Sequence, residues 1–195
     1  MRTPDIYCIR HGESTFNAAH RATGLDPMHF DAPLTEAGRG QVAAARVGLR
    51  DVPFELVVTS PLTRALQTTA GLFGDHPARP PILVEVLHRE CQESSCDIGR
   101  APAILAAEFP DFRLDHLPET WWHAEGAADA RGFHIEPRDL FHGRVSAFRD
   151  WLRARPERVI AVVGHGTFFA SLTGRWMANC EVARLDLDAP LPEPA

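Results

Sequence analysis

The segment YCIRHGEST, residues 7–15, begins as an apolar strand and passes directly into charged and polar residues. No turn sequence separates the strand from Arg10 and His11. Two side chains that can carry positive charge, placed together at the end of a strand, suit an anion because they supply charge-assisted hydrogen bonds. The segment therefore predicts a phosphate site at one edge of a sheet.

The length and composition of the chain indicate one globular domain. The chain has 195 residues, and a single hydrophobic core can grow to about 250 residues before chains divide. Hydrophobic residues make up 45% of it and charged residues 24%, which is unlike the composition of disordered chains. We expect one domain over residues 1–195.

The charge of the chain excludes several classes of partner. The formal net charge is −6, so no general positive field attracts nucleic acid or an anionic membrane. All 20 basic residues are arginine, which excludes a Schiff-base lysine or a P-loop lysine. No apolar run approaches the roughly 18 residues that a membrane span needs. We expect neither a nucleic-acid partner nor a membrane partner.

The four cysteines are predicted to be reduced thiols. Cys8, Cys91, Cys96 and Cys180 form an even set, but the chain opens MRTPDIYCIRHG without an apolar signal region. This pattern favours a cytoplasmic location over a secreted disulfide framework. His88 with Cys91 and Cys96 could suggest a metal, but structural zinc takes four ligands in spaced pairs, and a second pair is missing from the sequence. We expect no metal and no cofactor.

Short apolar runs alternate with helical patterns along the chain. Runs rich in Val and Ile predict strands, at residues 5–10, 55–60, 81–87 and 158–166. Helical spacing of apolar residues predicts helices, at residues 35–50, 61–73, 102–109 and 137–155. Such alternation is typical of an α/β fold. We predict a three-layer α/β/α sandwich, with a mainly parallel sheet and helices on both faces.

Some details of the helices follow from individual residues. Thr35 is the expected N-cap of its helix, and Pro61 is expected in the first turn of the next one. In the helix at 137–155, the spacing places four apolar residues on the face toward the sheet: Leu140, Val145, Phe148 and Leu152.

Two segments are less regular. Residues 88–135 contain Trp121, Trp122 and several Gly and Pro residues, and we expect them to form a cover over one end of the sheet. Residues 189–195 are acidic and rich in proline, and we expect them to fray.

Three predicted strands end on groups that can bind an anion. In open α/β sheets, ligands bind beyond the carboxyl ends of the strands. The first strand ends at Arg10 and His11, and the second ends at Ser60 and leads into a helix that carries Arg64. The strand at 158–166 ends at His165, between two glycines. We expect two arginines and two histidines to meet at one edge of the sheet.

The same residues give the chain a resemblance to the histidine phosphatase superfamily, the phosphoglycerate mutase-like group, in its phosphatase branch. The signature of that family is Arg-His-Gly at the end of the first strand. Four blocks match in the family's order and span most of the chain: RHGESTFN at 10–17, DAPLTEAGRGQ at 31–41, VVTSPLTRALQT at 57–68 and VVGHG at 162–166, with Gly24 between the first two.

The resemblance implies roles for the converging residues. His11 would be the nucleophile that accepts a phosphoryl group and forms a phosphohistidine. Arg10 and Arg64 would lower the pKa of His11 and hold the phosphoryl oxygens. His165, either cationic or as a neutral donor, would stabilise the charge that develops on those oxygens.

The resemblance implies that three further residues belong to the same site. Asn17 and a backbone N–H near Gly166 would complete the phosphate pocket. Gly12, like Gly166, would let the backbone approach the phosphate closely.

The leaving group also needs a proton donor. The resemblance implies a carboxylic acid after the third strand, which here is Glu90 or Glu93. Relatives with a comparable CD-x-G block place the acid six positions before the cysteine, so Cys96 indicates Glu90. The role requires a carboxyl group with a raised pKa.

The sequence thus favours a metal-independent phosphomonoester hydrolase acting on a small phosphorylated substrate. A mutase is the first alternative, and a phosphate-binding protein without catalysis is the second. Residue types do not choose between a sugar phosphate, a nucleotide and a phosphoprotein segment as substrate. Both a monomer and a homodimer remain open.

Overall fold

The centre of the molecule is a five-stranded sheet. The structure, a computed structural model, describes residues 3–193. The strands lie in the order β3–β2–β4–β1–β5, and their bounds are β1 Asp5–Arg10, β2 Leu56–Thr59, β3 Ile82–Val84, β4 Val159–Gly164 and β5 Val182–Leu185. Only β5 runs antiparallel to its neighbour within this sheet. The predicted mainly parallel sheet is confirmed.

Helices cover both faces of the sheet. Their bounds are α1 Thr15–Thr23, α2 Glu36–Leu49, α3 Thr63–Phe73, α4 Pro102–Glu108, α5 Arg138–Arg153 and α6 Gly166–Thr173. Side chains alternate along β4: Ile160 and Val162 pack with α5 and α6, while Ala161 and Val163 pack with α2 and α3. This alternation follows from the period of two in a strand. The predicted three-layer α/β/α sandwich is confirmed.

The second and third helices differ in how they begin. Thr35 caps α2 as predicted, because its Oγ1 accepts from the N–H of Gly38 at 2.9 Å. Helix α3, however, begins at Thr63, so the prediction of Pro61 in its first turn is wrong. The distant Asp31 takes the capping role, since its carboxylate accepts from Thr63 N at 2.8 Å and from Thr63 Oγ1 at 2.5 Å.

Helix α5 corrects another prediction. Leu140 is 49% exposed, whereas Phe141 beside it is completely buried together with Val145, Phe148 and Leu152. The apolar stripe is therefore displaced by one residue at its first turn, where Phe141 buries the larger apolar surface. Helices α1 and α6 and strand β5 were not predicted.

Residues 88–135 contain little regular structure apart from a 3₁₀ turn at Ser95–Asp97 and the short helix α4. Apolar side chains of this segment still form a cluster of their own, which includes Leu105, Leu114 and Trp121. Trp121 also donates from Nε1 to the carbonyl of Arg100 at 2.9 Å. The segment is thus packed against the body, although it is irregular.

The strand predicted at 81–87 is shorter than expected, at three residues. In the segment predicted to fray, Leu191 packs against the core and the carbonyl of Ala189 accepts from Arg149. The last two residues, 194–195, lie outside the described residues. Within residues 3–193, none of the helices combines the length and apolarity needed to span a membrane.

Candidate active site

The groups predicted to converge meet beyond the carboxyl ends of β1, β2 and β4. Here a cavity of about 330 Å³ opens to the surface. Its lining includes five of the predicted residues, Arg10, His11, Asn17, Arg64 and Glu90, together with Glu93 and Asp97. His165 and Gly166 are not among its lining residues, although the ring of His165 lies close behind that of His11, with 5.3 Å between the ring centroids.

His11 directly follows β1 and is held by the sheet register. Its backbone N–H donates to the carbonyl of Gly164 at 3.0 Å, and the residue as a whole is 3% exposed. Nδ1 lies 2.7 Å from the carbonyl of Gly12, which can only accept, so Nδ1 carries the proton. Nε2 accepts from Arg64 Nε at 3.2 Å. The hydrogen-bond network therefore assigns the lone pair of the neutral ring to Nε2.

The surroundings of His11 favour this neutral form. Burial lowers the pKa of His11 well below its ordinary value, and the charges of Arg64 and Arg10 lower it further. The bond to the Gly12 carbonyl opposes this shift only in part. An imidazole must be neutral to act as a nucleophile, so the site keeps His11 in its reactive protonation state.

Arg64 lies in the first turn of α3 and is 2% exposed. Its Nη1 donates to the carbonyl of Cys96 at 2.5 Å, and its Nη2 donates to Asp97 Oδ1 at 3.0 Å. Its Nε is the group that faces His11. The Asp97 carboxylate and the Cys96 carbonyl therefore fix the plane of the guanidinium group, and they direct one N–H at Nε2 of His11.

Arg10 approaches the cavity from the end of β1. Its Nη1 donates to the carbonyl of Met177 at 2.6 Å, and its guanidinium carbon lies 5.2 Å from the ring centroid of Trp176. In the described part of the chain, its buried Nε has no hydrogen-bond partner. An unpaired cationic donor at the cavity wall is the group that an anionic ligand would satisfy.

His165 follows β4 and is fully buried. Its Nε2 lies 2.7 Å from Ser60 Oγ, and the same Oγ accepts from the N–H of Leu62 at 3.4 Å. This arrangement favours donation of the Ser60 hydroxyl proton to Nε2, which leaves the proton of the neutral ring on Nδ1. Among residues 3–193, Nδ1 of His165 belongs to the few buried polar atoms without a partner.

The pKa of His165 decides between its two predicted forms. Burial lowers this pKa well below the ordinary value, and the charge of Arg64 adds to the effect. His165 is therefore neutral in the free protein. Of the cationic and neutral forms considered for this residue, the structure favours a neutral donor.

Asn17, Gly12 and Gly166 also make contacts within the protein. The amide oxygen of Asn17 accepts from the N–H of Ser14 at 3.2 Å, as part of the capping box of α1. Only its amide N–H groups can therefore serve a ligand. A Cβ on Gly12 would lie 2.7 Å from the carbonyl oxygen of Gly38, and one on Gly166 would lie 3.2 Å from the guanidinium carbon of Arg10. Both glycines thus permit close packing around the site.

Glu90 lies in an irregular segment after β3, and its carboxyl group contacts the N-terminus of α6. Its Oε2 accepts from the N–H of Thr167 at 3.0 Å, and its Oε1 accepts from Phe168 at 2.9 Å and Cys91 at 3.0 Å. Burial raises the pKa of Glu90, and the charge of Asp97 raises it further. These are the surroundings that a proton donor requires.

Glu93 has a different environment, although it also lines the cavity. Its side chain is 39% exposed, and its carboxylate pairs with Arg138 at 2.6 Å. Glu93 thus lacks the burial and the backbone N–H contacts that surround the Glu90 carboxyl group. The geometry thus favours Glu90 of the two carboxyl groups.

Three contributors to this site were missed in the sequence. Asp97 follows the cysteine that marked Glu90, and a buried Arg64 requires such a carboxylate partner. Trp176 covers Arg10, and Asn179 Nδ2 donates to the carbonyl of His11 at 3.0 Å. Trp176 and Asn179 lie after α6, in a segment without a recognisable sequence pattern. Of the three residues, only Asp97 could have been found from the sequence.

Comparison with solved structures identifies the class of fold. The structure matches phosphoglycerate mutase from Bacillus anthracis with a TM-score of 0.63 and 21% identity, covering 93% of this chain and 86% of that one. It matches the mycobacterial glucosyl-3-phosphoglycerate phosphatase in complex with VO3 with a TM-score of 0.60 and 22% identity, covering 94% and 92%. The fold is that of the phosphoglycerate mutase-like proteins.

Comparison of sequences identifies the family. Residues 6–188 match the model of the histidine phosphatase superfamily, branch 1. Glucosyl-3-phosphoglycerate phosphatase from Mycolicibacterium vanbaalenii is 31% identical over 174 residues, which are 89% of this chain and 74% of that protein. The chain belongs to the histidine phosphatase superfamily, and the predicted resemblance is confirmed. It is a phosphatase that hydrolyses phosphomonoesters through a phosphohistidine.

Proposed function

We propose that His11 is the nucleophile, that Arg10, Arg64 and His165 bind the transferring phosphoryl group, and that Glu90 is the proton donor. The observation that carries this proposal is the tautomer of His11. Its Nδ1 proton is held by the Gly12 carbonyl at 2.7 Å, and its Nε2 lone pair is directed at Arg64. The lone pair of His11 Nε2 and the guanidinium group of Arg64 thus lie next to each other in the cavity.

In the first step, a phosphoryl oxygen takes over the N–H of Arg64 Nε and frees the lone pair of His11 Nε2. Nε2 then attacks phosphorus, a P–N bond forms, and the bond from phosphorus to the ester oxygen breaks. Glu90 gives its proton to the departing oxygen. The unpaired Nε–H of Arg10 and the ring of His165 behind that of His11 would stabilise the charge on the phosphoryl oxygens.

In the second step, the carboxylate of Glu90 takes a proton from a water molecule. The resulting hydroxide attacks phosphorus, the P–N bond breaks, and the electron pair returns to His11 Nε2. Inorganic phosphate leaves, and Glu90 is protonated again. A raised pKa of Glu90 suits both of its roles, because the group must be an acid in one step and a base in the next.

The charge of the cavity supports the same assignment. Besides Arg10 and Arg64, three carboxyl groups line it: Glu90, Glu93 and Asp97. A phosphate dianion would be repelled if all three were ionised. Protonation of Glu90 removes one of these charges, and the ion pair with Arg64 neutralises that of Asp97.

We propose a small phosphorylated metabolite as the substrate. A cavity of about 330 Å³ suits a small molecule, and residues 90–97 of the segment predicted to act as a cover form part of its wall. The relative from Mycolicibacterium vanbaalenii is named for glucosyl-3-phosphoglycerate, which makes that compound the first candidate to test.

The test measures phosphate release and the covalent intermediate. The wild-type protein, in the presence of EDTA, should release phosphate from p-nitrophenyl phosphate and should take up label from a ³²P-labelled substrate into an acid-labile adduct. His11→Ala should lose both properties, whereas the control His29→Ala, at an exposed residue, should keep both. Labelling that persists in His11→Ala would contradict the assignment.

A second assay separates hydrolysis from the alternatives. With 3-phosphoglycerate and a trace of 2,3-bisphosphoglycerate, we expect no interconversion of phosphoglycerates. Interconversion without phosphate release would indicate a mutase. Binding of phosphate or vanadate without any turnover would indicate a phosphate-binding protein.

A further inference from the structure

The segment that carries Glu90 has no regular secondary structure to fix it. Strand β3 ends at Val84, and residues 85–92 form turns and irregular backbone. A catalytic acid must nevertheless be placed accurately, since a displacement of about 1 Å can lower a rate roughly 100-fold. Some other part of the molecule must therefore hold this segment.

Arg144, in the middle of α5, makes hydrogen bonds to three successive parts of that segment. Its Nη1 donates to the carbonyl of Leu87 at 2.6 Å and to that of Arg89 at 3.1 Å. Its Nη2 donates to the carbonyl of Glu90 itself at 3.3 Å. One guanidinium group thus binds the backbone immediately before Glu90 and at Glu90.

Glu136, just before α5, connects Arg144 to the other side of the segment. Its side chain is 1% exposed and accepts from Arg144 Nε at 2.8 Å and Arg144 Nη2 at 2.6 Å. It also accepts from Arg89 Nη2 at 2.9 Å. The backbone N–H of Glu136 donates to the carbonyl of Gln92 at 2.9 Å. The ion pair therefore holds the chain on both sides of Glu90.

The same ion pair reaches the helix that binds the Glu90 carboxylate. The guanidinium carbon of Arg144 lies 5.9 Å from the ring centroid of Phe168 and 5.4 Å from that of Phe141. The backbone N–H of Phe168 is one of the donors to Glu90 Oε1. Arg144 thus contacts both the backbone of Glu90 and the residue that binds its side chain.

We propose that the buried Arg144–Glu136 ion pair is a positioning device for Glu90, which places its carboxyl group against the leaving-group oxygen. The proposal rests on the function proposed above. An ion pair of this kind adds little to stability compared with apolar residues of the same size. Its bonds converge on the backbone around one carboxyl group, which points to a role in geometry.

The proposal predicts a dependence on the leaving group. An alkyl phosphate such as glycerol phosphate releases a strongly basic alkoxide, so its hydrolysis needs the proton from Glu90 in the first step. p-Nitrophenolate is a weak base and leaves without that proton. A displaced Glu90 should therefore slow the first substrate far more than the second, whereas a general loss of structure should slow both equally.

The experiment compares kcat/KM for the two substrates in Arg144→Lys, Glu136→Gln and Glu90→Gln. This ratio reports the formation of the phosphohistidine, whereas kcat also includes its hydrolysis, which needs Glu90 with either substrate. Lysine keeps the charge of Arg144 but cannot form its several directed bonds. We expect both network variants to lose about 100-fold in kcat/KM on glycerol phosphate and far less on p-nitrophenyl phosphate, with the same asymmetry in Glu90→Gln. Glu136→Asp, which keeps the carboxylate, should recover part of the loss.

Arg149→Lys is the matched control. Arg149 lies on the same helix, is buried, and also donates to a backbone carbonyl, that of Leu187 at 2.7 Å. This bond is on the far side from Glu90, so its loss should lower both activities by the same factor. Tm values of all the variants identify any that are unfolded. If Arg144→Lys is unfolded, Glu136→Gln and Glu136→Asp test the proposal in its place.

The outcomes distinguish a failure of the positioning proposal from a failure of the proposed function. Equal losses on both substrates in the network variants, with asymmetry in Glu90→Gln, would overturn this proposal alone. A symmetric loss in Glu90→Gln would overturn the assignment of the acid and this proposal with it. A wild-type protein that hydrolyses neither substrate would overturn the proposed function.

Discussion

The two sides of the active site are built in different ways. His11 and His165 follow neighbouring parallel strands, in which Arg10 pairs with Gly164 in the register of the sheet. Glu90 lies in irregular backbone and depends on side chains such as Arg144. The backbone of His11 is held by the bonds of the sheet. The carboxylate of Glu90 is held by three backbone N–H groups, but the backbone that carries Glu90 is held largely by side chains. Substitutions should therefore affect the two sides differently.

The largest effect should come from Arg64→Lys, which removes the guanidinium group beside His11. An ammonium group cannot bind Asp97, the Cys96 carbonyl and a phosphoryl oxygen in one plane. We expect kcat to fall by about 10²- to 10³-fold for both p-nitrophenyl and glycerol phosphates, as is typical when a donor to the transition state is lost. Arg46→Lys, at an exposed ion pair with Asp75, is the control. A loss confined to glycerol phosphate would contradict this prediction.

The next effect is the pH dependence of the activity, which tests the role of Glu90. Glu90 must be protonated in the first step and has a raised pKa, so activity on glycerol phosphate should fall as the pH rises through that value. His11 must be neutral and has a lowered pKa, so activity should persist well below the ordinary range of histidine. Glu90→Gln should lose about 100-fold and abolish the alkaline decline.

Glu93→Gln is the matched control for the pH profile of Glu90→Gln. It removes a carboxylate from the same cavity, one that pairs with Arg138, but it should leave the alkaline decline in place. If Glu93→Gln removes the decline and Glu90→Gln retains it, Glu93 is the acid and the two assignments are reversed.

A smaller effect is expected from Ser60→Ala. The Ser60 hydroxyl sets the tautomer of His165 through a bond of 2.7 Å, and its loss should let Nδ1 lose its proton to Nε2 part of the time. One hydrogen bond contributes about 1 kcal/mol, so we expect kcat to fall roughly fivefold for both substrates, with little change in KM. Ser60→Thr, which keeps the hydroxyl, should retain more activity, and equal losses in the two variants would indicate a packing effect.

The smallest effect is expected from Trp176→Ala. Trp176 is 63% exposed, and its ring lies beside the guanidinium group of Arg10. An exposed contact of this kind contributes about 0.5–1 kcal/mol. We expect KM to rise by a few-fold while kcat stays nearly constant, measured on p-nitrophenyl phosphate. Trp176→Phe should behave like the wild type, and a large loss of kcat would place Trp176 in the chemistry.

The same contrast explains what the sequence could predict. His11 and Arg64 were found because apolar strands and helix starts leave local patterns, and because the strand ends of an α/β sheet converge. Glu90 could be selected only by its spacing from Cys96. Arg144 lies in the helix pattern of α5 without any local signal, since its role arises from contacts 54–57 positions away along the chain. Leu140 was misplaced because helical spacing alone does not choose between adjacent apolar stripes.

The contacts made by residues 177–180 also constrain how the enzyme is made. The carbonyl of Met177, the side chain of Asn179 and the backbone of Cys180 all bind Arg10 or His11. A ribosome synthesises Arg10 and His11 long before these supports. The site therefore stays incomplete until residues 177–180 have been synthesised. Strand β1, which lies between β4 and β5, keeps its edges open to unwanted pairing until those strands follow. Two open strand edges during synthesis are the consequence of placing the first strand between β4 and β5, which follow it far along the chain.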